Sequence, residues 1–145
     1  MTFKILFYII FMTLSGTNQA DSGSKKLLPP CRDTPNCVSS QTQDPKQFVA
    51  PFKIKGNTTE AWQALKDTLN QHSRMTITHE TPTNIHVEVT SLVLHFVDDI
   101  DFILDAENKT IHIRSSSRVG HSEFGVNHKR IEALRLQLQK SQLIN

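Results

Sequence analysis

The spacing of hydrophobic positions predicts two helices. Asn57 and Glu60 have the spacing of a capping box, and three hydrophobic residues then recur at helical intervals: Trp62, Leu65 and Leu69. These signals predict a first helix over residues 58–71. After Gly125 the helical spacing returns at Ile131, Leu134 and Leu138, which predicts a final helix that ends near Ser141.

Between the two helices the hydrophobic period shortens to that of β-strands. Runs bounded by turn residues predict four successive strands: residues 75–80, 84–90, 96–104 and 110–118. Phe52 and Ile54 alternate with lysines and predict one more short strand, so the order is β-α-β-β-β-β-α. Short connections favour an antiparallel meander. We expect an α+β fold, with both helices on one face of a curved antiparallel sheet of four to five strands. The apolar residues 92–94 would be core or the lip of an apolar pocket.

The first 27 residues differ from the rest in composition. Lys4 precedes an apolar run over residues 5–14 and a polar stretch that ends at Ala20, which is the layout of a secretory signal. A run of this length is too short to span a bilayer, for which about 20 residues are needed. We expect a signal peptide over residues 1–20, a disordered linker over 21–27 and a single domain over 28–145. Retention of the first segment as a membrane anchor stays open, and no transmembrane span is predicted in the mature chain.

Charge and cysteine content narrow the class of protein. Removing Lys4 with the predicted signal leaves 15 basic residues against 14 acidic ones, which argues against a nucleic-acid-binding domain. Cys31 and Cys37 are the only cysteines. In an oxidising compartment such a pair is most simply a disulfide, here tying an extended, proline-rich N-terminal coil to the domain. A zinc site or a redox-active pair would need other ligands or another spacing, so we predict no metal or cofactor. The expected location is periplasmic or secreted.

Strand alternation assigns the polar residues of the last two predicted strands to opposite faces. Asp98 falls on the apolar face of its strand, whereas Asp99 and Asp101 fall on the other. The next strand has two such sets: Ser115 and Ser117 on one face, and Arg114, Ser116 and Arg118 on the other. Pairing of the strands would place the serines opposite Asp98 and the arginines opposite the other two acids. We predict a structural polar network at Asp98, Asp99, Asp101, Ser115 and Ser117.

Residues 111–130 concentrate cationic and hydrogen-bonding side chains more than any other stretch. An arginine left unpaired by the network would suit an anion, because a guanidinium presents a planar fork to carboxylate or phosphate. If Asn127 caps the final helix, three basic residues occupy its first turn, where the dipole disfavours cations and favours a bound anion. A helix start at Ser122 would remove that penalty. The candidate ligand-binding residues are Arg114, Ser116, Arg118, Asn127, Lys129 and Arg130.

Three functional hypotheses follow. The first is an exported, non-enzymatic domain that binds a small anionic or amphipathic ligand, or an envelope protein, through the Arg114–Arg130 block. The second is a hydrolase that uses Asp98 or Asp99 with Ser117 or His121, which requires these groups to converge in an accessible cleft. The third is a purely structural envelope protein. The chain contains no nucleophile elbow, phosphate-binding loop or nucleotide fingerprint, so an enzyme is the less favoured class.

Three segments, in this order, resemble the signature of a known family. They are residues 30–40 with both cysteines, residues 96–102, and residues 114–120 continued by 124–127. Together they look like the family of domain of unknown function 1499, uncharacterised exported or envelope-associated bacterial proteins, over nearly all of the mature chain. Asp101 stands where that family often has a glutamate, and Ser116 is a mild departure from its usual small residues. The resemblance implies no established activity, so these residues are signature positions and not an active site.

Overall fold

The computed structural model describes residues 27–120 and 125–145, so the predicted signal peptide and all but one residue of the predicted linker lie outside it. The elements in chain order are β1 (Cys37–Ser39), β2 (Phe52–Lys53), α1 (Thr58–Asn70), β3 (Met75–Glu80), β4 (Asn84–Thr90), β5 (Val97–Asp105), β6 (Thr110–Ser117) and α2 (Val126–Lys140). Within the described ranges, none of the helices has the length and apolarity needed to cross a membrane.

The predicted α+β fold is confirmed. The strands form an antiparallel sheet in the order β1-β6-β5-β4-β3, with β2 paired to β6 beside β1. Strands β3 and β4 have the predicted bounds, β5 is shifted by one residue at both ends, and β6 ends one residue early. The sheet has six strands rather than four to five because residues 37–39, expected as coil, pair with β6. A strand of three residues is too short for its alternation to be read from sequence.

Helix α1 forms where its local signals place it. The Asn57 side chain accepts hydrogen bonds from the backbone N–H groups of Thr59 and Glu60, at 2.8 and 3.1 Å. These bonds satisfy donors that the first turn of a helix leaves without partners, which contributes about 1 kcal/mol. The face that carries Trp62 and Leu65 is buried. Helix α1 ends at Asn70, one residue before the predicted end.

The hydrophobic core lies between the two helices and one face of the sheet. Its fully buried side chains come from every layer: Leu65 and Leu69 of α1, Ile131, Leu134 and Leu138 of α2, and Val87, Ile100, Phe102 and Ile113 of the strands. Burying a side chain of this size stabilises the fold by roughly 1.5–3 kcal/mol. The opposite face of the sheet alternates with this one and carries polar side chains of intermediate exposure.

The N-terminal segment is attached to the edge of the sheet. Cys31 and Cys37 form the predicted disulfide, with Cα atoms 5.7 Å apart. Val38 of β1 then pairs with Ser115 of β6. The bridge therefore holds residues 32–36, which we call the disulfide loop, beside the end of β6, where the candidate site lies.

Candidate functional site

The candidate ligand-binding residues divide between two sides of the molecule. Arg114, Ser116 and Arg118 follow β6 on the polar face of the sheet, whereas Asn127, Lys129 and Arg130 belong to α2, which packs on the other face. Alternation along β6 correctly separated the arginines from the serines, since Ser115 is fully buried on the helix side. The described candidate residues of the 111–130 block thus lie on two sides of the sheet.

Asn127 is the centre of a buried polar network formed with Asn36, Asp98, Ser115, Ser117 and Arg130. Its side chain is fully buried. Its Oδ1 accepts hydrogen bonds from the hydroxyl of Ser115 and, at 2.7 Å, from Nη1 of Arg130. Its Nδ2 donates to the backbone oxygen of Asn36 at 3.2 Å and to the Oγ of Ser117 at 3.0 Å. One amide therefore joins the disulfide loop, β6 and α2.

Asp98 completes the buried polar network through Arg130. The carboxylate accepts a hydrogen bond from Nη2 of Arg130, and both side chains are close to nine-tenths buried. Ser117 lies directly opposite Asp98 in the pairing of β5 with β6, as strand alternation predicted. Both serines also bind Asn127, and Arg130 binds the acid. Asn127 and Arg130 are three residues apart and so share one side of a helix, which is the sequence signal that identifies this pair.

Asn36 is a functional candidate that the sequence reasoning missed. Its side-chain amide donates to the backbone oxygens of Ser117 and Gly120, and its Oδ1 accepts a hydrogen bond of 2.6 Å from Thr34. Gly120 has a φ of 88°, a left-handed conformation in which other residues are strained. The glycine turns the chain after β6 so that its oxygen reaches the disulfide loop.

Helix α2 begins at Val126 and not at Ser122. Gly125 precedes it at a φ of 74° and provides no side-chain cap, so Asn127 is not the N-cap. The first turn has no acidic residue, and Lys129 makes the first backbone hydrogen bond of the helix, to Gly125. The basic residues therefore do stand where the helix dipole opposes them. The ion pair with Asp98 offsets this for Arg130.

A ladder of charged side chains crosses β4, β5 and β6 on the polar face. Arg118 donates to both carboxylate oxygens of Asp99, at 2.7 to 3.2 Å, and also to Glu88. Arg114 binds Asp101 at 3.2 Å across the strand pair. Alternation predicted these two arginine–aspartate pairings. His86 adds contacts to Asp101 at 2.6 Å and to Asp99 at 3.3 Å.

Arg118 controls the ionisation of Asp99. Its hydrogen bonds hold the pKa of the Asp99 carboxyl below the ordinary value of 3.8, although partial burial acts in the opposite direction. The same bonds, with those to Glu88, raise the pKa of the Arg118 guanidinium. A group with so low a pKa is a poor general base near neutral pH, because effective bases have pKa values near the working pH. Asp99 is therefore suited to positioning Arg118.

A groove of about 430 Å³ lies between the disulfide loop and the end of β6. We call it the disulfide groove. Its lining residues are Arg32, Thr34, Asn36, Asp99, Arg114, Ser116, Ser117, Arg118, Val119 and Gly120. It brings together parts of all three signature segments, and it contains the three ligand-binding candidates of β6. Arg32, which lies more than 80 positions before them, is a lining residue that no local pattern could associate with the site.

The disulfide groove is rich in positive charge and in donors that lack partners. Three arginines line it against a single carboxylate, that of Asp99. Within the described part of the chain, the side chains of Arg32 and Ser116 have no hydrogen bond or ion pair, and the buried Nε of Arg114 has no acceptor. An unpaired buried donor costs about 1–3 kcal/mol. An oxygen-rich anion would satisfy these groups.

One cluster among the described residues has the chemistry of a metal site. Ligand atoms of His86, Glu88 and Asp99 all lie within 4.8 Å of one another. Arg118 already binds both carboxylates. A cation at this position would have to displace the guanidinium, so the cluster is better suited to holding Arg118 than to holding a metal.

The groups required for hydrolysis are not assembled into one accessible cluster in the described residues. Asp98 and Asp99 lie on opposite faces of the sheet, the first paired with Arg130 and the second with Arg118. Ser117 accepts a hydrogen bond from Asn127. His121, the other proposed partner, lies outside the described residues. These contacts give Asp98 and Ser117 structural partners.

A second pocket, of about 470 Å³, lies on the helix side between α2 and the ends of β3 and β4. We call it the helix pocket. Lys129 and Arg74 line it together with apolar side chains such as Met75 and Leu134. Of the candidate residues on α2, Lys129 is exposed in this pocket, while Asn127 and Arg130 are held in the buried polar network.

Fold and site together define an α+β protein in which three separated segments meet at one end of an antiparallel sheet. The chain belongs to the family described as protein of unknown function (DUF1499), whose model matches residues 27–138. The match begins just before the disulfide loop and ends near the last turn of α2, so it contains the buried polar network and the disulfide groove. No curated protein and no solved structure shows significant similarity to the chain.

Proposed function

We propose that the protein is a non-enzymatic binding domain that takes a small carboxylate- or phosphate-bearing ligand in the disulfide groove. The observation that carries the proposal is the set of three arginines around one carboxylate, with donors of Arg32, Arg114 and Ser116 lacking partners in the described residues. A guanidinium binds such anions through two parallel hydrogen bonds, which gives both energy and orientation. The volume of the groove is in the range of small-molecule sites.

The three arginines have different roles in this proposal. Arg118 is held by Asp99 and Glu88 and forms one wall. Arg114 is fixed by Asp101 and offers its remaining donors to the ligand. Arg32 is exposed and is carried by the disulfide loop, so it can close over the anion from the other side. Because two of the three are already ordered by carboxylates, the ligand pays less of the entropy of immobilising side chains.

The proposal is tested by titrating the full-length protein with inorganic phosphate and with citrate, using calorimetry and amide chemical shifts. Arg32→Ala combined with Ser116→Ala should weaken the bound anion by about tenfold or more, since each removes a direct donor. Both side chains lack protein partners in the described residues, so the midpoint of urea unfolding should not change.

Arg74→Ala is the matched control. Arg74 is another exposed arginine without an ion pair in the described ranges, but it lines the helix pocket. The proposal is wrong if neither anion binds at millimolar concentration, or if Arg74→Ala weakens binding as much as the groove variants do. Native mass spectrometry of protein purified from its own source is an independent test, because a small anion retained by the parent protein should be lost from the Arg32→Ala, Ser116→Ala variant.

The same proposal includes action outside the cytoplasm, in the periplasm or after secretion. It is supported by the Cys31–Cys37 disulfide, because such bridges persist in oxidising compartments and are rare in reducing ones. Thiol labelling of protein taken directly from cells measures this. Complete labelling of both cysteines in freshly lysed cells would contradict the assignment.

A purely structural role is the alternative to ligand binding. The buried polar network supports it for Asp98, Ser115, Asn127 and Arg130, whose side chains bind one another, and for Asn36, whose backbone oxygen accepts a hydrogen bond from Asn127. It does not explain the donors of the disulfide groove that have no partner in the described residues. The phosphate and citrate titration therefore separates the two roles.

A further inference from the structure

The end of the molecule next to α2 carries an unusual concentration of exposed apolar side chains. Of the nine large hydrophobic residues exposed in the described ranges, six belong to three short segments at this end, namely the β4–β5 loop, the residues just after β6 and the first residue of α2: Leu92, Val93, Leu94, Phe96, Val119 and Val126. We call them the apolar tip. The sequence suggested core or a pocket lip for residues 92–94, but they are 65–79% exposed.

Strand pairing, a backbone hydrogen bond and the lining of the helix pocket place these three segments close together. Thr90 pairs with Val97, which closes the loop of residues 91–96 between β4 and β5. The N–H of Arg118 donates to the oxygen of Val97 at 3.3 Å, so Val119 follows directly beside that loop. Ser91 and Val126 line the same helix pocket. The apolar tip is therefore formed by the β4–β5 loop, the residues after β6 and the start of α2.

The charges around the apolar tip are predominantly positive. Arg74 and Lys129 line the adjacent helix pocket, and neither has an ion pair in the described residues. The nearby carboxylates of Asp98 and Asp99 are each neutralised by an arginine. Among the described residues, the unpaired charge next to the apolar side chains is thus cationic.

We propose that the apolar tip inserts into the interface of a lipid bilayer with anionic headgroups. Aliphatic side chains enter the boundary of the acyl chains in such binding, while neighbouring lysines and arginines contact the headgroup phosphates. Large exposed apolar patches mark contacts with membranes or proteins. A short apolar loop with cations beside it matches an anionic membrane surface.

This proposal is independent of the disulfide groove. It requires neither an anion in that groove nor any of the donors that line it. The two proposals share only the position of Val119, which lines the groove and belongs to the apolar tip.

Insertion is tested by placing a single tryptophan at the tip of the full-length protein. Trp62→Phe removes the native tryptophan, and Val93→Trp is compared with Leu136→Trp, an exposed position on α2 outside the apolar tip. Vesicles of phosphatidylglycerol with brominated acyl chains should quench Val93→Trp strongly and Leu136→Trp little. Both variants contain the same full-length chain, so any association with lipid through residues 1–26 affects them equally.

Affinity for the same vesicles tests the side chains themselves. The lipid affinity is obtained from the quenching of Val93→Trp as vesicles are added. Leu92→Ser with Leu94→Ser should lower this affinity by at least about tenfold, because neither leucine can then be buried in the bilayer interface. Lys129→Ala and Arg74→Ala should each cost about fivefold. Leu136→Ser and Lys140→Ala are the matched controls and should have no effect. All these positions are exposed, so unfolding by urea should stay as in the parent protein.

Two results would overturn the proposal. Equal quenching at positions 93 and 136 would show that the apolar tip does not enter the bilayer. A concentration-dependent dimer that Leu92→Ser with Leu94→Ser dissociates, seen by light scattering without quenching by lipid, would make the apolar tip a contact between two copies of the chain.

Discussion

Asn127 determines more of the structure than its size or polarity suggests. Its amide makes four hydrogen bonds to Asn36, Ser115, Ser117 and Arg130, and none of its surface reaches solvent. Buried polar groups that are fully hydrogen-bonded hold one specific arrangement, whereas partly satisfied ones are costly. The identity of this residue is therefore set by geometry, because no other side chain of its size both donates and accepts at these positions.

Replacing Asn127 by leucine should destabilise the protein by about 3 kcal/mol, because several buried partners would each lose a bond worth about 1–3 kcal/mol. Urea unfolding followed by circular dichroism measures the change. Asn70→Leu is the control, since Asn70 is exposed at the end of α1 and should shift the unfolding free energy by no more than about 0.5 kcal/mol. Equal shifts in the two variants would contradict the role of the buried polar network.

The elements differ in how far local sequence determines them. Helix α1 has its N-cap at Asn57 and a hydrophobic face of its own, and the local sequence is sufficient to predict both. Strand β4 alternates along its whole length and β3 over its first four residues, and both were predicted to the residue. Strand β1 has three residues whose partners lie in β6, more than 70 positions away, so nothing local identifies it. The start of α2 was ambiguous because Gly125 gives no side-chain cap.

The charged ladder across β4, β5 and β6 makes stability depend on pH through Asp99. The pKa of Asp99 is lower in the folded protein than in the unfolded chain, mainly because of hydrogen bonds from Arg118. As the pH falls, the unfolded chain binds this proton first, so the contribution to stability is complete above the unfolded pKa. It is lost as the pH falls below about 4 and through the folded-state pKa.

Asp99→Asn should therefore lower the free energy of unfolding at pH 7. Its difference from the wild-type protein should shrink between pH 5 and pH 3, because the wild-type carboxylate becomes protonated and asparagine does not titrate. Urea unfolding at pH 7, 5 and 3 measures this. Asp33→Asn is the control, because Asp33 is exposed and its side chain has no partner in the described residues. A difference for Asp99→Asn that stays constant with pH would rule out the linkage.

At the scale of the whole molecule, the sheet places residues that are neighbours in the sequence on two different surfaces. Alternation sufficed to place Asp98 and Asp99 on opposite faces, because strand geometry is local. It could not place Arg130, whose position depends on how α2 packs, nor Arg32, which reaches the disulfide groove through the disulfide loop. The sequence therefore predicted the kinds of residue in the candidate site and some of the individual residues. The division into a groove and an apolar tip depends on tertiary packing, which the sequence pattern does not show.

This division predicts that anion binding and membrane association are separable. Arg32→Ala with Ser116→Ala should weaken phosphate binding and leave the quenching of Val93→Trp by brominated vesicles unchanged, while Leu92→Ser with Leu94→Ser should do the reverse. In the combined variant each defect should keep its size within about twofold, because the two pairs of substituted side chains share no partner among the described residues and independent sites act additively. The two surfaces meet at Val119, and residues 97 and 98 connect Phe96 of the apolar tip to Asp99 of the groove. If saturating phosphate changed the affinity for vesicles more than about threefold, vesicles would have to change the affinity for phosphate equally, and the two surfaces would be one coupled site.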